Sequence, residues 1–228
     1  MLLWYDKHMK YLTLLVTALL VCSCSSAPPP PRSFSVNLKA PSYKLGEAEA
    51  YVTNIVSFGA MKKMPINLLY YPDDDAMCLQ FRYEFTDCNQ FWDRAGREAF
   101  VGALQTYQDE FDQRKLTNNN RRNRSAYGTV QGFFAWKRTR ISAQATDSTN
   151  VGLGYQFRSK AVFFSTAQSE ASFKDSEESR TINTQGGLTM HFTREQAGTL
   201  AAFFNQELLQ GIDRPAARTT ADSMLDSY

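Results

Sequence analysis

Met77-Cys78-Leu79-Gln80-Phe81-Arg82-Tyr83-Glu84-Phe85 places Met, Leu, Phe, Tyr and Phe at every second position, with Cys, Gln, Arg and Glu between them. Successive side chains of an extended chain point to opposite faces, so this pattern predicts a strand with one buried and one wet face. Such clean alternation belongs to an antiparallel sheet, because parallel strands are covered on both faces and read as continuous apolar runs.

Upstream, the alternation of Phe34, Val36 and Leu38 predicts a short strand over Ser33–Ala40. Glu47–Phe58 predicts a second strand and Ile66–Tyr71 a third, followed by a turn at Pro72-Asp73-Asp74-Asp75. Downstream, Asp87 with Gln90 three residues later reads as a helix N-cap box. Trp92, Ala95, Ala99 and Ala103, then Phe100, Leu104, Tyr107 and Phe111, keep helical spacing to about Lys115. A polar, basic loop over Leu116–Ser125 precedes further strands at Tyr127–Arg140, Val151–Phe157 and Ala161–Ser165. Gln168–Gly187 is polar and acidic and reads as a long hairpin loop. Leu188–Phe192 is a closing strand. Thr193 and Gln196 form a second cap box, before a helix striped with Ala197, Leu200, Phe204 and Leu208 that Gly211 ends.

The expected fold class is therefore α+β: one antiparallel sheet packed by two helices, within a single domain spanning 34–210. The strands-then-helix order occurs twice, which suggests a pseudo-duplicated meander-plus-helix unit. That topology is similar to the duplicated PUR/whirly type of fold, although no motif of that family is present, and a shared fold implies no shared function. Residues 211–228 lack periodicity and are read as a disordered tail.

Sixteen Phe and eleven Tyr favour a β-rich, well-packed interior, and a formal charge of +2 supplies no global field for nucleic acid. Apart from Cys22 and Cys24, only Cys78 and Cys88 are present. An extended Met77–Phe85 holds those two further apart than the ~7 Å between Cα atoms that a disulfide permits, so free thiols are expected. No CxxC or HxxxH spacing indicates zinc, and no cofactor or metal is expected. His191, between Met190 and Phe192, has no GxSxG elbow or adjacent nucleophile and reads as an ordinary strand histidine. Asp73-Asp74-Asp75 reads as a solvated turn rather than a Ca²⁺ loop, Asp109-Glu110 and Glu177-Glu178 as solvated faces. Gly152-Leu153-Gly154 lies in a strand and lacks the strand–turn–helix context of a phosphate loop.

The chain opens differently. Lys7 and Lys10 precede an apolar run, Tyr11–Val21, that is too short for a span of ~20 residues and suits an export signal. Met9-Lys10-Tyr11 opens a compact signal, so Met9 is a candidate start beside Met1. After the run, Val21-Cys22-Ser23-Cys24 resembles the lipobox of bacterial lipoproteins, with Val21 at −3 and Ser23 at −1 to Cys24. Cys22 at −2 departs from the usual small residue. The resemblance covers residues 1–23 as a signal peptide. It implies lipid on Cys24, and Ser25 in place of Asp points to the outer membrane. Residues 24–33 include Pro28–Pro31, which favour an extended tether at ~3.1 Å per residue.

From Arg114 to Arg140 the chain carries Arg114, Lys115, Arg121, Arg122, Arg124, Lys137, Arg138 and Arg140 and no acid, with Tyr127, Phe133, Phe134 and Trp136 among them. Arg121, Arg122, Arg124, Lys137, Arg138 and Arg140 are the candidate residues for an anionic partner, lipid or glycan. The expectation is a lipid-anchored envelope protein that binds or scaffolds, held at a membrane and possessing an envelope-protein or anionic partner. An envelope-polymer hydrolase with scattered carboxylates and an accessory subunit of an envelope complex are the alternatives.

Overall fold

The computed structural model describes residues 34–54, 60–138, 144–174 and 181–212. Strands β1 (Tyr43–Asn54), β2 (Lys62–Tyr71), β3 (Ala76–Tyr83) and β4 (Thr86–Trp92) lead into helix α1 (Arg94–Asp112). A short helical turn, α2 (Asn120–Asn123), precedes β5 (Thr129–Arg138), β6 (Gln144–Arg158) and β7 (Ala161–Gln168). A hairpin of β8 (Ala171–Lys174) and β9 (Thr181–Gln185) follows. Then come β10 (Leu188–Phe192), α3 (Arg194–Phe203) and α4 (Gln206–Ile212).

The sheet is not an open one packed by two helices. It is a closed antiparallel barrel in the order β1-β10-β7-β6-β5-β4-β3-β2, with β8 and β9 as a separate pair. Closure comes from β1, which pairs with β2 on one side and with β10 on the other, Val52 opposite Met190. An alternating strand needs a cover for its apolar face, and either helices or the far wall of a barrel can supply it. Here Ile66, Leu68, Leu79, Phe81, Phe134, Trp136, Phe164 and Met190 meet in one buried cluster, so the strands cover each other. Small eight-stranded barrels have an interior just wide enough for side chains to fill.

The boundary at Asp87 also differs from the expectation. Thr86–Trp92 is a strand, because Thr86, Cys88, Gln90 and Trp92 alternate inward against β3 and β5. The N-cap of α1 is Asp93, whose Oδ1 accepts from the Gly96 N–H at 2.7 Å. The Thr193–Gln196 capping box is present. The second helix breaks at Phe204–Asn205 and runs past Gly211 as α4. Within the supposed loop at 168–187, β8 and β9 pair. The proposed tail lies outside the described residues from 213 onward, as does the whole of 1–33.

All the described helices longer than one turn gather at one mouth of the barrel, where β4 and β10 end. Phe100 of α1 meets the rings of Trp92, Phe164, Phe192 and Phe204 at centroid distances of 5.8, 5.1, 6.2 and 5.0 Å. Ring edges face ring planes in each T-shaped pair, the arrangement that aromatic quadrupoles favour.

Phe34–Ala40 is not a strand. It lies against the outer wall, where Val36 joins Tyr71, Ala76, Cys78, Phe91 and Phe133 in a second buried cluster. The Asn37 N–H donates to Asp74 Oδ2 at 2.9 Å, and the Phe34 carbonyl accepts from Ser148 Oγ at 3.3 Å. Cys78 sits in this outer cluster and Cys88 in the interior one, and both thiols are free. The tight Glu84–Phe85 turn folds β4 back beside β3, so chain length does not separate the two sulfurs. They face opposite sides of the wall, with Cys78 opposite Phe91 and Phe81 opposite Cys88.

Candidate functional site

The basic segment does not form one patch. Arg121 and Arg122 are exposed on α2, and Arg124 is exposed just beyond it. Lys137 is exposed far along β5, opposite Asp87 and Gln144. Eight residues of β6 separate Gln144 from Gly152, the neighbour of Arg124, which is about 26 Å at ~3.3 Å per residue. Arg138 belongs to β5 by its backbone, and Arg140 lies outside the described residues. The interleaved aromatics are committed to the fold: Phe134 and Trp136 to the interior, Phe133 to the outer cluster, and Tyr127 to a bond from its hydroxyl to Glu110 Oε2 at 2.8 Å.

What the structure assembles instead is a depression of about 510 Å³ beside Arg124. Its lining includes Ser125, Thr129, Asn150, Gly152, Ala167 and Thr189, with Glu170 as its one carboxylate. The floor is the outer face of the barrel. Gly152 stands opposite Ala167 on β7, and Ala167 opposite Thr189 on β10. One step along the same face, Gly154 stands opposite Ser165 and Ser165 opposite His191.

The two glycines are what lets the loop after α2 lie on this wall. A Cβ at Gly152 would stand 2.7 Å from the Arg124 carbonyl oxygen, and one at Gly154 would overlap the carbonyl oxygen of Asn123. The loop is pinned there by bonds from the Tyr127 N–H to the Leu153 oxygen and from the Leu153 N–H to the Gly128 oxygen, both 2.9 Å. Asn123 Nδ2 also donates to the Thr117 oxygen at 2.6 Å. Gly154→Ala is therefore expected to push Arg124 off the wall and cost about 1–3 kcal/mol, the range for overpacking. Urea denaturation and protease cleavage at Arg121, Arg122 or Arg124 measure it; unchanged stability and unchanged cleavage would refute the contact.

His191 is fully buried on this outer face, and its Nε2 lies 3.1 Å from Thr53 Oγ1. Burial, with the nearby charges of Arg158 and Arg124, pushes its pKa down to about 3, so the ring is neutral at pH 7. Its edge meets the ring of Phe163 at 6.3 Å. The charges acting on the ring are thus cationic, those of Arg158 and Arg124, which oppose its taking up a proton.

The Asp73–Asp75 turn is occupied rather than simply solvated. Asp74 holds Asn37, and Asp75 accepts from Tyr70 Oη at 3.0 Å and from Arg97 Nη2 at 2.7 Å. Among the described residues, no group of three or more His, Cys, Asp or Glu side chains is placed to hold a metal ion. A second depression, of about 470 Å³, does gather Glu47, Glu49 and Glu195. Glu47 is paired with Lys44 at 2.7 Å and Glu49 with Lys63 at 2.8 Å. The bond from Lys44 lowers the pKa of Glu47, whereas a glycosidase acid needs a raised one.

A family described as "Uncharacterised Treponema protein" matches residues 42–211. The chain belongs to this family. The matched segment begins just before β1 and ends within α4, so it takes in the whole barrel, the Gly152–Gly154 wall and His191. A Treponema pallidum (strain Nichols) protein described as "Uncharacterized protein" is 25% identical over 123 residues, 54% of this chain and 43% of that relative. The matched part of the chain thus spans less than half the relative's length. No solved structure matches the chain.

Of the predicted site residues that are described, only Arg124 lines the depression. Gly152, Gly154, Ser165 and His191 come together by strand pairing. The Gly-Leu-Gly spacing in a strand was the one available signal, since a glycine inside a strand marks close approach of another backbone.

Proposed function

We propose that this protein is a lipid-anchored envelope protein whose barrel binds a partner and performs no chemistry. Residues 1–23 act as its export signal, Cys24 carries the acyl groups, and 24–33 form the tether. The observation that carries the reading is the Lys7–Cys24 segment: positive start, apolar run, and cysteine at lipobox spacing. Acyl chains contribute roughly 0.8 kcal/mol per buried CH₂, so several on one cysteine hold a domain at a bilayer.

The barrel's surface supports anchoring from outside the bilayer. Exposed charges Lys44, Glu47, Glu49, Lys63 and Arg82 occupy the outward positions of β1, β2 and β3. A barrel crossing a bilayer presents an apolar band there and a polar interior, the reverse of this arrangement. No described helix is long and apolar enough to cross a membrane. The partner meets the face formed by Arg121, Arg122 and Arg124, and is an envelope protein or an anionic lipid or glycan.

Replacing Cys24 by Ser is expected to abolish fatty-acid labelling and move the protein from the membrane to the soluble fraction. Labelling that persists, or a wild-type protein recovered in the cytoplasm with residues 1–23 intact, sinks the reading.

A further inference from the structure

Four buried polar atoms lack a hydrogen-bond partner within one patch of the outer wall. They are His191 Nδ1, Ser165 Oγ, Gln156 Nε2 and Arg158 Nε. Ser165 and His191 are fully buried, and Gln156 is 1% exposed. The neighbours are fixed by register: Ser165 opposite His191, and Gln156 opposite Phe163, which puts Gln156 diagonal to Ser165 on the same face. Arg158 continues the β6 row and donates from Nη2 to Gln156 Oε1 at 3.0 Å. Folded proteins leave only a few buried polar groups per hundred residues unsatisfied, so four in one patch form a wall able to hydrogen-bond a molecule outside the chain, water or a ligand.

The occupant's chemistry follows from the atoms. Gln156 Nε2 and Arg158 Nε can only donate, and the Ser165 hydroxyl can donate. No carboxylate in the described residues makes an ion pair with Arg124 or Arg158 at 4 Å or less. The row borders the open depression beside Arg124. Gly152, Ala167 and Thr189, which floor the 510 Å³ depression, lie two residues along the same strands from Gly154, Ser165 and His191. Arg124 stands over that junction.

We propose that this row binds a small oxyanion, a phosphate or carboxylate group, between Arg124 and Arg158, with Ser165 and Gln156 as further donors. Guanidinium groups suit both anions through paired N–H bonds. The site names the chemistry of the partner proposed above and shares Arg124 with it, yet it stands whether or not Cys24 carries lipid.

The test uses the full chain in detergent, titrated with inorganic phosphate and, separately, with acetate, against sodium chloride of equal ionic strength. A ligand that binds only the folded state raises Tm in a saturable way. The expected result is such a rise with one or both anions, and the one that acts identifies the group. Ser165→Ala is the discriminating variant. Its hydroxyl has no hydrogen-bond partner within the chain, so its removal should leave Tm unchanged without anion and weaken anion binding roughly tenfold. Arg158→Gln should weaken it at least as much. No saturable response to either anion would overturn the proposal. So would a response that Ser165→Ala and Arg158→Gln leave unaltered, since water would then fill the row.

Discussion

Arg97→Ala is expected to destabilise the protein by about 3 kcal/mol. Arg97 is 1% exposed and ties three elements together. Nη2 donates to Asp75 Oδ1 at 2.7 Å and to Gln206 Oε1 at 2.8 Å. Nη1 donates to the backbone oxygens of Asp75 at 2.6 Å and Trp92 at 3.3 Å. Truncation strands these acceptors at the β2–β3 turn, the end of β4 and α4. Breaking a buried pair costs ~3–5 kcal/mol, and the 37% exposure of Asp75, which lets water replace the guanidinium, places this case at the lower end. Lysine should rescue little, because one ammonium cannot span a forked site. Urea midpoints of wild type, Arg97→Ala and Arg97→Lys measure this. A loss under 1 kcal/mol would show that the fork does not hold the helices to the barrel mouth.

Stability should also fall as pH drops from 7 toward 4.5, and His191 should be a principal cause. Its folded pKa is depressed to about 3, against ~6.5 in an unfolded chain. Below pH 6.5 the unfolded histidine takes up a proton that the folded one refuses, so acid favours unfolding. Two pH units at ~1.36 kcal/mol each give a loss of about 2.7 kcal/mol at pH 4.5 from this group. His191→Gln, which stays neutral, should lose that much less over the same interval. The comparison of slopes isolates the residue from carboxylates, which titrate alike in both proteins. Parallel slopes would mean that His191 is solvated and charged in the folded state, and would remove the electropositive, closed character of the wall.

Strand β3 was legible because its signal is local. Met77–Tyr83 alternates with period two, and the structure turns Leu79, Phe81 and Tyr83 inward as that period requires. The Thr193–Gln196 cap was legible for the same reason, since its two hydrogen bonds span three residues. Asp87–Gln90 carried the same spacing and was misleading. Two residue types at cap spacing cannot tell a helix start from a strand when the next residues, Phe91 and Trp92, suit both. The cavity of about 510 Å³ was not legible: it depends on Asn123 and Arg124 settling onto Gly152 and Gly154, residues about thirty positions later.

Taken alone, the order of residues determined the β3 strand with its apolar face and the Thr193–Gln196 helix cap. These are properties of neighbouring residues, set by backbone sterics, side-chain period and capping. Only the tertiary structure decided that the sheet closes, through Val52 opposite Met190, and that the helices shut one mouth instead of covering a face. It also decided that Ser165, His191, Gln156 and Arg158 share one wall. Pairings between distant strands depend on how whole apolar faces fill a common interior, and no local pattern encodes that volume.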